Sequence, residues 1–194
     1  DTLILAAGTT AIPTAAVNGG AGVDTISMTS VSADAYDNNT NFSNAISGFE
    51  RLEISNTYGI DDNSAVTLTL DLANLGFTSY VITSGTLVDA GNAATESDIL
   101  KLTKLAANAT VVLTAEGYIE AVLATATGTT DVINVIVDAT NTTTTAGTFT
   151  VADVETVKIT AKGEFLDDGV TGGTTANDGI DDTAADIASL SLVA

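Results

Sequence analysis

The octapeptide GFERLEIS at residues 48–55 decides the fold class of this chain, because related segments recur after it. DVETVKIT at 153–160 repeats its order of apolar, Glu and hydroxyl positions, and YIEAVLAT at 118–125 and GFTSYVIT at 76–83 are weaker copies. Within each copy the apolar residues alternate with polar ones, which is the period of a half-buried β-strand. The sequence therefore predicts a repeated β unit.

A second type of strand begins with Asp, and its copies are VDTISM at 23–28, SDILKL at 97–102 and TDVINV at 130–135. Each is followed by a Glu-bearing strand 26, 22 or 24 residues later, counted from Asp24 to Glu50, from Asp98 to Glu120 and from Asp131 to Glu155. The unit is thus an Asp-led strand, a connector and a Glu-bearing strand. Helical signal is limited to residues 33–46 and 184–192.

Short repeated β units bury their apolar faces only by stacking on one another. We therefore predict an all-β fold, a parallel β-solenoid of the β-helix or β-roll kind with irregular loops, in which Leu52 stacks near Ile119 and Val157. The alternative is an antiparallel β-sandwich. We expect residues 1–194 to form a single elongated domain of a larger protein, with repeats over about 18–160 and an acidic Gly/Asp-rich tail over 161–194.

Charge and composition exclude several classes of function. The chain carries 25 acidic and 5 basic residues, a net charge of −20, and has no His or Cys. Such a surface repels phosphate backbones and anionic lipid headgroups, so we expect no nucleic-acid partner. No apolar run approaches the roughly 18 residues of a membrane span. Without His and Cys the usual general bases and thiol nucleophiles are missing, so we expect no catalytic residues and no enzyme activity.

The repeated carboxylates Glu50, Glu120 and Glu155 have two interpretations. They form a ladder that binds cations, or they are solvated outward positions on each strand. A ladder of adjacent carboxylates repels itself unless something neutralises it, so the first interpretation holds only if these positions stack. The second is the simpler prediction.

The segment GGAGVDTIS at 19–27 carries the most specific chemistry, because it matches the calcium-binding nonapeptide G-G-x-G-x-D-x-U-x at every fixed position. Its Gly19, Gly20 and Gly22 permit positive φ angles, and Asp24 supplies a carboxylate. Calcium prefers six to eight oxygen ligands and normally lies between two such turns, so one copy provides half a site. A Gly-rich turn before a strand is the alternative.

Two further acidic segments are candidate calcium ligands. The smaller contains Asp61 and Asp62, and the larger has five carboxylates spaced by Gly and Asn, namely Asp167, Asp168, Asp178, Asp181 and Asp182. Without His or Cys ligands for zinc or copper, Ca²⁺ is the expected ion. Mobile acidic loops are the alternative for both segments.

The nonapeptide together with the Asp-led and Glu-bearing strands resembles the RTX-type surface-layer proteins of Gram-negative bacteria, over about residues 18–160. The resemblance implies secretion to the bacterial cell surface, calcium support and self-assembly with other copies into a lattice or filament. Cell-surface polysaccharide is a further candidate partner. The alternative is a stalk or ligand-binding module of a large secreted RTX adhesin. Tandem nonapeptides are missing, which argues against a multi-site β-roll in this segment.

Overall fold

A computed structural model describes residues 1–59, 65–86, 98–126, 130–138, 144–162, 164–165 and 186–193; for 144–146, 164–165 and 186–193 it describes the backbone alone. The chain is a parallel β-solenoid of about five turns with few helices. Every strand pairing in the described residues is parallel. The predicted solenoid is therefore confirmed, and the antiparallel sandwich is excluded.

The strands alternate between two sheets as the chain winds. In chain order the elements are β1 (Thr2–Ile4), β2 (Val17–Asn18), β3 (Thr25–Met28), α1 (Ser30–Tyr36), α2 (Asn41–Ala45), β4 (Ile46–Ser47), β5 (Arg51–Ile54), β6 (Thr67–Asp71), α3 (Leu72–Leu75), β7 (Tyr80–Thr83), β8 (Ile99–Leu105), β9 (Thr110–Leu113), β10 (Tyr118–Leu123), β11 (Val132–Asp138), β12 (Thr144–Val151), β13 (Thr156–Lys162), β14 (Glu164–Phe165) and β15 (Asp186–Val193). The first sheet has the order β1-β3-β5-β7-β9-β11-β13, the second β6-β8-β10-β12-β15-β14, and β2 pairs with β4.

Columns of aliphatic side chains hold the turns of the first sheet together. One column runs through all seven of its strands: Leu3, Ile26, Leu52, Val81, Val111, Val135 and Ile159. Its five middle members are fully buried. A second column includes a hydroxyl, Thr83, which is buried and donates to the Val112 carbonyl at 3.2 Å. Each turn thus buries its apolar face on its neighbours, and the core lies between the two sheets.

The second sheet repeats this arrangement on the opposite side of the core. Its two inward columns are Leu68, Leu100, Ile119 and Phe149, and Leu70, Leu102, Ala121 and Val151. All of these side chains except Leu68 are buried. Burial alternates strictly along β10 and along β8 as far as Thr103, which matches the period-two pattern that the sequence predicted; at Lys104 an irregularity interrupts the alternation of β8.

The predicted neighbours of Leu52 are wrong in their register. Leu52 pairs with Ile26 and Val81, whereas Ile119 belongs to the second sheet and Val157 pairs with Ile133. Alternation fixes which residues face inward, but it is the same in both sheets and is unchanged by a shift of two residues. Similar octapeptides therefore do not have to be neighbours.

Helices replace the strand of the second sheet in an early turn. α1 and α2 lie between β3 and β5, and the Tyr36 and Phe42 rings stack with 4.4 Å between their centroids. The predicted helical signal at 33–46 is confirmed by α1 and α2. The signal at 184–192 is wrong for its described residues, because β15 covers 186–192; residues 184 and 185 lie outside the described part. The alternating sequence IASLSLV suits a strand. Within the described part of the chain, no helix is long and apolar enough to cross a bilayer.

The column packing predicts losses of stability of very different size for substitutions at two adjacent residues of β6. Leu70→Ala removes a fully buried side chain and should lower the free energy of unfolding by about 2–5 kcal/mol. Thr69→Ala alters an exposed outward position and should cost less than about 1 kcal/mol. Urea denaturation of both variants measures the difference, and equal losses would contradict the assignment of inward and outward faces.

Candidate metal centre

The glycine turn at residues 19–24 connects β2 to β3 and is stacked on the turn around Gly48. The Gly19 N–H donates to the Ser47 carbonyl at 2.9 Å, and a Cβ atom on Gly19 would collide with the Gly48 carbonyl oxygen. Gly20 and Gly22 have φ angles of 101° and 124°, which favour glycine. Gly19 is therefore required by its backbone contact, and Gly20 and Gly22 are required by their backbone conformation.

Asp24 ends this turn and is 1% exposed. Its Oδ1 lies 2.6 Å from the backbone nitrogen of Asp1, whereas its Oδ2 is buried and has no hydrogen-bond partner among the described residues. A buried carboxylate oxygen without a partner is costly. Oδ2 is therefore an atom of this turn that a cation would satisfy.

Glu50, in the next turn, is the second carboxylate of the glycine turn and contacts the backbone of Asp24. Its Oε2 accepts the Asp24 N–H at 2.9 Å, and its own N–H donates to the Asp24 carbonyl at 3.0 Å. Asp24 and Glu50 are the residues that fit a hard cation here. The described residues contain no group of three or more acidic side chains arranged for a metal. Backbone carbonyls, water or a second molecule would have to complete a shell of six to eight oxygens.

The other predicted metal ligands lie outside the described residues and stay predictions. They are Asp61, Asp62, Asp167, Asp168, Asp178, Asp181 and Asp182. Of the predicted site, the structure places Gly19, Gly20, Gly22 and Asp24, and it brings these four together with Glu50.

A recurrent role of the acidic residues at strand starts was missed by the sequence analysis. At four places a strand of one turn starts with a backbone nitrogen that lies within hydrogen-bond distance of a carboxylate in the following turn. We call these contacts strand-start caps. The nitrogen and carboxylate partners are Asp1 and Asp24 (2.6 Å), Asp24 and Glu50 (2.9 Å), Val66 and Asp98 (2.8 Å), and Asp131 and Glu155 (2.8 Å). They satisfy donors that would otherwise lie unpaired at a strand end. The signal in the sequence is an acid, placed just before a strand, that recurs after one solenoid turn.

Glu120 behaves differently from Glu50 and Glu155. It lies on β10 in the second sheet, where its Oε1 bonds Lys101 Nζ at 2.6 Å, with both side chains 32% exposed. A half-exposed pair of this kind contributes roughly 0–1 kcal/mol. The three glutamates do not stack, so they form no carboxylate ladder. Glu50 and Glu155 are exposed, as the solvated interpretation predicts, but both also accept a backbone hydrogen bond.

Asp37 is a second buried carboxylate, placed between the early helices and β6. Its Oδ2 accepts the Asp71 N–H at 2.8 Å, and Asn74 donates to its carbonyl at 2.7 Å. Burial raises the pKa of Asp37, and the nearby charges of Asp34 and Asp71 add to this rise against the lowering effect of the Asp71 N–H. Asp37 therefore carries its charge at a cost to the folded state.

The sequence matches no protein-family model, and no similarity to a curated protein or to a solved structure is found.

The strand-start caps predict that Glu50 acts through its oxygen rather than its charge. Glu50→Ala should lower the free energy of unfolding by roughly 1 kcal/mol and speed hydrogen exchange at the Asp24 amide, because that N–H loses its acceptor. Glu50→Gln keeps an acceptor oxygen and should stay close to the parent in both measurements. Urea denaturation and amide exchange by NMR test this, and equal effects of Ala and Gln would contradict the cap.

The raised pKa of Asp37 predicts that the difference in stability between the parent and Asp37→Asn depends on pH. A pKa raised by folding adds stability below the unfolded value, about 3.9, and that stability is lost as the pH rises through the folded value. Asp37→Asn removes this loss and keeps an oxygen for the Asp71 N–H. Its stability relative to the parent should therefore increase from about pH 3 to pH 7.

Urea titrations of both proteins across this range measure that difference. Asp34→Asn is the control, because it removes only an exposed neighbouring charge and should give a smaller change of the same sign. A difference between Asp37→Asn and the parent that is constant with pH would contradict the role given to Asp37.

Proposed function

We propose that this chain is a structural, non-enzymatic segment of a secreted bacterial surface protein, stabilised by calcium and assembling with other copies into a lattice or filament. The observation that supports the proposal is the buried Oδ2 of Asp24, for which the described part of the chain provides no hydrogen-bond partner. It lies in the turn whose sequence matches the calcium-binding nonapeptide. The resemblance to RTX-type surface-layer proteins points to the same function.

The donor chemistry favours calcium over other ions. Asp24 and Glu50 offer oxygen alone, and the whole chain contains no His or Cys. Zinc and copper prefer nitrogen and sulfur ligands, whereas Mg²⁺ demands a strict octahedron and dehydrates reluctantly. An irregular turn of carboxylates and carbonyls suits the larger and more adaptable calcium shell.

The net charge explains why a cation would also promote assembly. Two copies at −20 repel each other, and physiological salt screens that repulsion only beyond about 8 Å. Charges that approach more closely at an interface need neutralisation by a bound cation. Cell-surface polysaccharide is proposed as a further partner on the resemblance alone.

The proposal predicts that calcium stabilises the chain through Asp24. About 10 mM calcium exceeds the Kd of typical extracellular calcium modules by roughly 10 to 100 times, which corresponds to about 1.4–2.7 kcal/mol of added stability. Thermal melting in calcium, in magnesium and in EGTA should show the gain with calcium alone. Asp24→Asn should abolish it, whereas Asp34→Asn, an exposed acid outside the turn, should retain it.

Sedimentation velocity on the same samples tests the assembly. Calcium should convert the monomer into larger species, and EGTA should reverse this. Superimposed melting curves would refute the calcium site. A chain that stays monomeric at about 10 mM calcium would instead favour the stalk or ligand-binding module of a large adhesin.

A further inference from the structure

The glycine turn begins with a chemically reactive dipeptide. Asn18 is followed directly by Gly19, and the full sequence contains no other Asn–Gly pair. In such a pair the backbone nitrogen of the second residue can attack the side-chain amide carbon of the first. Glycine favours this attack, because it has no side chain that hinders it and its backbone rotates freely. Asn is accordingly counted among the thermolabile residues of proteins.

The side chain of Asn18 is exposed and is polarised for this attack. Its Oδ1 accepts the Gly20 N–H at 2.8 Å, and a hydrogen bond to a carbonyl oxygen withdraws electrons from the carbonyl carbon. The same Oδ1 lies against the backbone of Gly48, where an added Cβ atom would come within 2.8 Å of it. Two neighbours therefore fix the amide oxygen, and the amide nitrogen is the group that can leave.

A single hydrogen bond holds the attacking nitrogen away from this reaction. The Gly19 N–H donates to the Ser47 carbonyl at 2.9 Å, next to the position where Asn18 of β2 pairs with Ser47 of β4. A nitrogen in that bond keeps its proton and cannot turn towards the Asn18 amide carbon. The closed turn therefore protects Asn18.

The pairing that provides this protection is small. β2 and β4 have two residues each and form a two-stranded sheet, whereas the other strands belong to sheets of seven and six. A two-stranded pairing contributes little stability of its own in water. Such a segment opens locally at a much lower free energy than the whole fold. We therefore expect the Gly19 N–H to be released repeatedly in molecules that are otherwise folded.

We infer that Asn18 is a site of spontaneous deamidation whose rate is controlled by the hydrogen bond between Gly19 and Ser47. When this bond opens, the Gly19 nitrogen forms a bond to Asn18 Cγ and gives up its proton, and the side-chain amide leaves as ammonia. Water then hydrolyses either carbonyl group of the cyclic imide. The product at position 18 is therefore aspartate or isoaspartate, and water is the only co-reactant.

The isoaspartate product alters the candidate calcium turn, and this consequence rests on the proposed function. Isoaspartate adds one carbon to the main chain between residues 18 and 19, which moves Gly19 out of register with Ser47 and disturbs the turn that carries Asp24. A bound calcium ion keeps the turn closed and slows the reaction. Asn18 thus limits how long the chain can stay without calcium and still bind it afterwards.

Peptide mapping by mass spectrometry measures the conversion of Asn18 in the full chain, and electron-transfer fragmentation distinguishes isoaspartate from aspartate. The chain is incubated at mildly alkaline pH in urea, in EGTA and in about 10 mM calcium. The rate in EGTA should be about tenfold or more below the rate in urea, because only molecules with an open turn react. Calcium at roughly 10 times its Kd or more should lower the rate by about a further tenfold.

Two glycine substitutions separate the effect of the turn from that of the local sequence. Gly48→Ala places a Cβ within 2.8 Å of Asn18 Oδ1 at a φ angle of 65°, so it should open the turn and raise the rate in the folded chain about tenfold or more. Gly8→Ala is the matched control, because Gly8 has a φ angle of 72° but an added Cβ meets nothing within 4 Å. It should leave the rate at Asn18 unchanged.

In urea the parent and both variants should react equally, because the Asn18–Gly19 pair is the same in all three. Circular dichroism verifies that each variant is folded. If Gly48→Ala does not fold, the comparison of the parent in EGTA and in urea decides alone.

The outcomes separate this inference from the proposed function. Conversion of Asn18 that is fast in urea, slow in the folded parent and raised by Gly48→Ala supports the deamidation site and its control by the turn. No conversion in urea, equal rates in urea and in the folded parent, or a folded Gly48→Ala variant that reacts no faster than the parent overturns it. Equal rates in calcium and in EGTA, together with melting curves that calcium shifts, overturn the calcium control alone. Superimposed melting curves refute the proposed calcium site and leave the deamidation of Asn18 standing.

Discussion

The pairing of each turn's backbone with the next turn is the constraint on which the rest of this structure depends. In a parallel solenoid the ladder hydrogen bonds and the inward columns both run along the axis, so each turn needs a neighbour. The columns through Leu52 and Leu102 satisfy the apolar side of this requirement. The strand-start caps accept hydrogen bonds from the N–H groups at the starts of strands, which the ladder itself leaves unpaired. Fold and charge are therefore linked, because the caps are acidic.

Much of the fold could be predicted from the sequence, and the reason is the period-two alternation. It identified segments such as 51–54 and 156–162 as strands, and the need to stack them gave the solenoid. It did not distinguish the two sheets, since Glu120 and Glu50 occur in the same local pattern on opposite sides of the core. The register, which differs from the octapeptide alignment, depends on loop length and on which column each side chain completes.

The candidate site was predictable in its residues but not in its surroundings. The nonapeptide located Gly19, Gly20, Gly22 and Asp24, because glycine conformation and a single carboxylate are local properties. Glu50 was identified as a repeated acid, but its contact with the Asp24 N–H depends on the next turn, 26 residues away. Long-range contacts of this kind follow from the turn length, which is irregular in this chain.

The acidic character of the caps calls for an explanation beyond the cap itself. A neutral oxygen performs the same task, as the Thr86 hydroxyl does when it accepts the Tyr118 N–H at 2.8 Å. A carboxylate makes a stronger hydrogen bond but adds a negative charge at that turn. Charge therefore accumulates along the axis. In Asp24 one oxygen serves the cap, while the other is buried and finds no hydrogen-bond partner among the residues that the structure describes. Cations would offset this accumulation, and the proposed calcium ion at Asp24 would do so at the turn where the uncompensated carboxylate oxygen is buried.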